Sequence, residues 1–297
     1  MKILITDGLS NSGQEILKRH YIEFDIQHYQ PDDLIKVIPN YDGILVRSAT
    51  KVTKEIIEAG KKLKFIARGG TGIDNIDHQF AKSKGIPVLN TPGANSASVA
   101  ELVFAHFFAM ARYIPQSIVS LRAGQWNKKA YKGIELAGKT LGIIGFGRIG
   151  KLTAKLGLAI GMKVLAYDVS EIKTELNVTV VSFEVLLKQS DFITLHVPKL
   201  DQPLITRKEL ELMKDGVFIV NTARGGVIDE TDLLAALDSG KVAGAGIDAF
   251  LNEPTPNPKL VCHPKVSVTP HIGASTREAQ DRIGIDIANQ IVEILAA

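Results

Sequence analysis

Cysteine is almost missing from this 297-residue chain, with Cys262 the sole example. No internal disulfide framework is available, and the thiol usage fits a reducing compartment. Aromatic side chains are scarce as well, at 6% of residues with a single tryptophan. Neither charge dominates: 35 Lys and Arg against 32 Asp and Glu leave +3. That balance argues against a general nucleic-acid or membrane-surface binder, while leaving room for a local basic pocket. No long hydrophobic run exists. The most apolar stretch, Val99–Ala111, contains Glu101 and His106 and falls short of the ~20 apolar residues a membrane span requires. The opening MKILITDGLS reads as a first strand, not an export signal. His263 beside Cys262 lacks a paired ligand set at zinc spacing, so no metal is expected. These absences predict a cytoplasmic protein, and at ~100–200 residues per domain the length predicts two domains.

What the chain does have is alternation. Strand-like runs at Lys2–Thr6, Phe24–Tyr29, Gly43–Arg47, Phe65–Arg68 and Pro87–Asn90 are separated by helix-like segments. A second series follows at Leu141–Gly145, Lys163–Asp168, Asp191–His196, Val217–Thr222, Ala243–Asp248 and Val266–Thr269. Such alternation predicts an α/β fold: two doubly wound parallel-sheet domains, Rossmann- or flavodoxin-like, with a cleft between them. A segment from about Asn95 to Ala123 is apolar nearly all round and is expected as one long covered helix. The last helix, about Ser275–Leu295, places Ile283, Ile287 and Ile291 at helical spacing. It is expected to return to the first domain.

Gly145–Gly150 reads GFGRIG between an apolar strand and an amphipathic helix. Gly145 permits a tight turn, Gly147 lets backbone approach a pyrophosphate, and Gly150 lets helix pack on strand. The helix N-terminus, at Arg148 and Ile149, offers free N–H groups and positive potential to phosphates. Asp168 ends the next strand, where an acid meets the adenosine ribose hydroxyls and repels a 2′-phosphate. The expected cofactor is NAD. His196, Thr222, Asp248 and Gly273, at or just beyond strand ends, are further cofactor-binding candidates.

Three polar spots follow successive strands of the second series: Arg224 in VNTARGG, Glu253 in IDAFLNEP and His271 in TPHIGAS. Hydride transfer from a 2-hydroxy acid needs a guanidinium to hold the carboxylate and the reacting oxygen. It needs an acid–base group near neutrality, which suits histidine. It also needs a carboxylate to fix that imidazole and stabilise its cation. Arg224, His271 and Glu253 fit those roles.

Together GFGRIG, NTARGG, DAFLNEP and TPHIGAST resemble, in order and spacing, the signatures of the D-isomer-specific 2-hydroxyacid dehydrogenases. The resemblance spans nearly the whole chain. It implies that Arg224, Glu253 and His271 match the family's catalytic arginine, glutamate and histidine. It further implies a discontinuous substrate domain, 1–94 plus 278–297, around an NAD-binding domain, 95–277. The apolar helix after Asn95 would match the family's dimer-forming helix. Because the sequence stops at Ala297, the regulatory domain of longer members is not expected, and PKLDQPLIT after His196 is shorter and less polar than the usual family loop.

The substrate is expected at the first series of strand ends. Gly69, Gly70 and Thr71 form a turn whose N–H groups could hold a carboxylate, and Arg47, Ser48 and Arg68 lie beside it. Two guanidiniums suffice for a second anionic group such as phosphate. The expected partner is a small phosphorylated 2-hydroxy acid.

Overall fold

The computed structural model describes residues 1–296. The first elements are β1 (Lys2–Ile5), α1 (Asn11–Arg19), β2 (Glu23–Ile26), α2 (Pro31–Val37), β3 (Gly43–Val46), α3 (Lys54–Ala59), β4 (Phe65–Arg68), α4 (His78–Ser83) and β5 (Val88–Asn90). Then come α5 (Ser96–Ala111), α6 (Ile114–Arg122), β6 (Thr140–Ile144), α7 (Arg148–Ala159), β7 (Lys163–Tyr167), β8 (Thr179–Val180), α8 (Phe183–Gln189) and β9 (Phe192–Leu195). The chain continues through α9 (Arg207–Leu212), β10 (Val217–Asn221), α10 (Glu230–Ser239), β11 (Val242–Ile247), α11 (Pro258–Val261), β12 (Val266–Val268) and α12 (Arg277–Ala296).

Two compact units result. One holds Met1–Asn95 and the segment from Ala274 onward, the other Ser96–Gly273. The expected split fell after residue 94 and before residue 278; Ala297, part of that expectation, lies outside the described residues.

The first unit is a parallel sheet in the order β2-β1-β3-β4-β5. Its strands follow the period-2 rule closely. Leu4, Ile44, Val46 and Ile66 face one side and pack with Leu34, Ile56 and Ala81 of α2, α3 and α4. Ile3, Ile5, Leu45 and Phe65 face the other and pack with Leu17 of α1 and Ile287 and Ile291 of α12. The last helix thus completes the first sheet, and burial of both faces explains the nearly unbroken apolar strands. Several strands are a residue or two shorter than expected; β2, expected to reach Tyr29, ends at Ile26, where its partner β1 also ends.

The second unit is a parallel sheet in the order β12-β11-β10-β9-β6-β7-β8. Counted from β6, this is the 3-2-1-4-5-6 order of a dinucleotide fold with one strand added. Val103, Phe107 and Met110 of α5 and Ala154 of α7 cover one face. Leu186, Leu210 and Leu233, of α8, α9 and α10, cover the other.

The single helix expected over about 95–123 is two helices, bent by 58°. Tyr113 adopts φ +53, and Pro115 opens α6 without the N–H that would continue the ladder. The Ala111 carbonyl that such an N–H would reach accepts from Ile134 instead. Among the described residues no single helix is long and apolar enough to cross a membrane, and α5 is largely buried in the second unit.

Candidate active site

The glycine turn sits at the switch point of the second sheet, between β6 and β9. Gly145 has φ +92, and a Cβ there would stand 2.5 Å from the His196 carbonyl oxygen of the neighbouring strand end. No other residue type fits. A Cβ at Gly147, by contrast, meets no heavy atom of the described residues within 4 Å, so the backbone there is open to a ligand. Gly147 caps α7 without a side-chain hydrogen bond, leaving the first-turn N–H groups unsatisfied by a cap. Arg148 is exposed at that end, Ile149 is half-buried, and Gly150 is buried against the Gly145 carbonyl. Asp168 accepts from the N–H of Phe146 at 2.6 Å and of Ser170 at 2.9 Å, fastening the turn to β7.

Two buried polar atoms near these strand ends have no partner among the described residues: His196 Nδ1 and Thr222 Oγ1. His196 Nε2 lies 3.3 Å from the hydroxyls of Thr153 and Thr194. Burial pushes its pKa down to about 3, so the ring is neutral. An uncapped helix end, an open glycine, a strand-end carboxylate and unspent buried polar groups together fit a dinucleotide.

The three candidate catalytic side chains all belong to this unit, on consecutive loops after β10, β11 and β12. His271 Nδ1 lies 2.8 Å from Glu253 Oε2. Glu253 Oε1 in turn accepts the Phe250 N–H at 2.9 Å, which pins the carboxylate. The hydrogen bond that His271 donates to Glu253 raises the His271 pKa above its ordinary value, against partial burial; Glu253 and Asp248 add attraction, and Arg224 opposes. Burial raises the Glu253 pKa, but His271, the Phe250 N–H and the Arg224 charge outweigh it and hold the group below the usual range. Arg224 is therefore near enough for its charge to act on both partners.

Close packing of the loops brings these groups together. A Cβ at Gly225 would lie 1.8 Å from the Phe250 carbonyl oxygen and 2.6 Å from the Leu251 nitrogen. Only glycine lets the Arg224 loop rest on the loop that carries Glu253. Arg224 is fixed locally: its Nη1 donates to the Ala223 carbonyl, and Asn221 Nδ2 donates to the Arg224 carbonyl.

His271 sits at φ +54, a left-handed conformation uncommon outside glycine and asparagine. Asp248 holds it there. The buried carboxylate accepts the Thr269 hydroxyl at 2.6 Å and the N–H groups of Ile272 and Gly273 at 2.8 and 2.9 Å. The oxygens of Asp248, a cofactor-binding candidate, engage the loop on both sides of His271. Gly273 likewise contributes its N–H to Asp248. Behind them His106 reaches Thr269 and Ser267 at 3.1 and 2.9 Å, tying α5 to β12.

The substrate candidates belong to the first unit, at the ends of β3 and β4. Arg47 is half-buried, and its Nε has no hydrogen-bond partner among the described residues. Burial pulls its pKa down, opposed by the Asp7 charge. Ser48 is exposed. Gly69 donates its N–H to Val46, while Gly70 has φ +149 and receives the Arg68 guanidinium where a Cβ would otherwise stand. Thr71 is held by Asn95 through its hydroxyl and by Asn90 through its carbonyl. The sequence reading overlooked Asp7, Asn75 and the packing role of Gly225. Asp7 carried a usable signal: an acid just past an apolar strand, as at Asp168.

The Glu253–His271 pair predicts a pH signature. A base must be deprotonated to accept a proton, so the kcat/KM of a reaction in which His271 takes up a proton should rise as pH climbs through its pKa, which stands above the ordinary histidine value. Glu253→Gln removes the charge that stabilises the imidazolium. Its rising limb should move to lower pH, measured from initial rates across pH 5–9; an unmoved limb would dissolve the pair.

A family model described as D-isomer specific 2-hydroxyacid dehydrogenase, NAD binding domain, matches residues 104–273. A hydroxypyruvate reductase of Thermotoga maritima is 51% identical over 99% of this chain and 98% of its own length. A D-3-phosphoglycerate dehydrogenase of Archaeoglobus fulgidus is 44% identical over 99% of this chain but only 57% of its own. Among solved structures, D-lactate dehydrogenase from Aquifex aeolicus complexed with NAD and lactic acid superimposes with a TM-score of 0.86 at 32% identity, over 99% and 94% of the two chains.

Proposed function

The chain belongs to the D-isomer-specific 2-hydroxyacid dehydrogenases and is an NAD-dependent oxidoreductase, and from that premise we propose that it oxidises D-3-phosphoglycerate to 3-phosphohydroxypyruvate. This reaction opens the phosphorylated route to serine. The observation that carries the chemistry is the His271–Glu253 contact of 2.8 Å beside Arg224. Bound NAD supplies the acceptor for the hydride leaving C2. With Nδ1 spent on Glu253, His271 takes the hydroxyl proton at Nε2. Arg224 holds the carboxylate and polarises the C2 oxygen, and Asp248 keeps the His271 loop in place. Gly145, Gly147, Arg148, Ile149, Gly150 and Asp168 take the dinucleotide, with His196, Thr222 and Gly273 lining its site. The turn at Gly70 and Thr71, anchored by the Gly69 N–H on Val46, receives the substrate carboxylate, while Arg47, Ser48 and Arg68 receive the phosphate.

The phosphate assignment rests on Arg47, a desolvated guanidinium whose Nε lacks an acceptor among the described residues. A second reading is favoured by the relative matched over its full length, whose name is hydroxypyruvate reductase. Taken in one direction, the two readings differ by one phosphoryl group, D-3-phosphoglycerate against D-glycerate in oxidation or 3-phosphohydroxypyruvate against hydroxypyruvate in reduction, so rates with and without it separate them. A charge-assisted contact contributes ~1.5–3 kcal/mol. The phosphorylated substrate should therefore lead by about 10–100-fold in kcat/KM, and Arg47→Met should abolish most of that lead. Equal rates, or a lead for the unphosphorylated acid, would transfer the assignment to hydroxypyruvate.

The same proposal includes a homodimer. Phe108, Ile114, Ile118, Val119, Leu121 and Trp126 leave exposed apolar surface along α5, α6 and the segment after them. A second copy of the chain covers it, as sedimentation would register.

A further inference from the structure

We infer that Asp7 is the positioning residue that sets Arg47 and its loop for substrate, a role that rests on the reading of Arg47 given above. The switch point of the first sheet lies between β1 and β3, where open α/β sheets form their ligand crevice. Asp7 stands just beyond β1 at that point, and Arg47 just beyond β3. The Asp7 side chain is only 5% exposed. Its Oδ2 accepts the N–H groups of Arg47 and Thr50 at 2.7 and 3.0 Å. Its Oδ1 accepts the Thr50 hydroxyl at 2.7 Å and lies 3.3 Å from His28 Nδ1.

From the other side, Asn75 Nδ2 donates to the carbonyls of Arg47 and Thr50, each at 2.6 Å. Both ends of the four-residue loop 47–50 are thus gripped through donors and acceptors alike, while Ser48 and Ala49 remain exposed at its tip. The carboxylate is also placed so that it does not neutralise the arginine. Among the described residues Asp7 and Arg47 form no ion pair within 4 Å, because the carboxylate oxygens are committed to the loop. The Asp7 charge supports a desolvated guanidinium, and the guanidinium fork stays open for an incoming anion.

The test is steady-state kinetics on the full chain, with D-3-phosphoglycerate as the varied substrate and NADH absorbance as the readout. Asp7→Ala should raise its KM about 10–100-fold, the scale of a misplaced binding group, with kcat and the KM for NAD nearly unchanged. Asp7→Asn should stay within about 3-fold of the parent, since its amide oxygen can take both N–H groups and its amide N–H can meet the Thr50 oxygen. In an Arg47→Ala background, Asp7→Ala should add nothing further. Additive effects, an Asp7→Asn variant as impaired as Asp7→Ala, or an unmoved KM in Asp7→Ala would overturn the inference. An Arg47→Ala variant with unchanged KM would instead overturn the reading of Arg47, and this inference with it. Should Asp7→Ala fail to fold, Thr50→Val removes one donor of the clamp. It should raise the same KM a few-fold, and no rise would overturn the inference.

Discussion

Replacing His271 with asparagine should lower kcat by about 10²–10⁴-fold, the usual contribution of a positioned acid–base group. Asparagine is chosen because it tolerates the left-handed backbone at this position, φ +54. It keeps a polar side chain but cannot titrate, so a loss of turnover reports the missing proton transfer and not a strained loop. Affinity for NAD should hold, because the dinucleotide turn is built from β6, α7 and Asp168 without any part of His271. Loss of the rising pH limb should accompany the loss of rate. Near-parental turnover would remove the assignment of His271 as the base.

Arg224→Gln should cost about 10²–10³-fold in kcat/KM, comparable to removing one donor from an oxyanion site. The guanidinium is fixed by its own bond to the Ala223 carbonyl and by the grip of Asn221 on its backbone. On the function proposed above, this fixing preorganises it for the charge that develops on the C2 oxygen. Arg224→Lys should restore little, because an ammonium lacks the planar fork that spans a carboxylate and a neighbouring oxygen. The Arg224 charge also lowers the His271 pKa, so the neutral Gln replacement should raise it. A Gln variant with parental kcat/KM and an unmoved pH profile would displace Arg224 from the site.

Much of the architecture is legible in the one-dimensional pattern. Strand positions follow from short β-rich runs buried on both faces, and the glycine turn, Asp168 and the three strand-end motifs are local features with local causes. The returning helix was legible too, since Ile283, Ile287 and Ile291 form an apolar stripe that needs a partner. The break between α5 and α6 was hidden, although Pro115 marks it. Its cause is a backbone swap, in which the Ala111 carbonyl leaves the helix ladder for Ile134.

What a linear reading could not supply is which neighbours share a carboxylate. Asp248 was placed by its motif, yet its oxygens fasten residues 21, 24 and 25 positions onward. Asp7 grips a loop some 40 residues away. Local periodicity encodes elements because each is stabilised by its own spacing of apolar and turn residues. Hydrogen-bond partners and contacts such as Gly225 on Phe250 arise only when strands distant in sequence align in register, and that alignment is a property of the packed sheet.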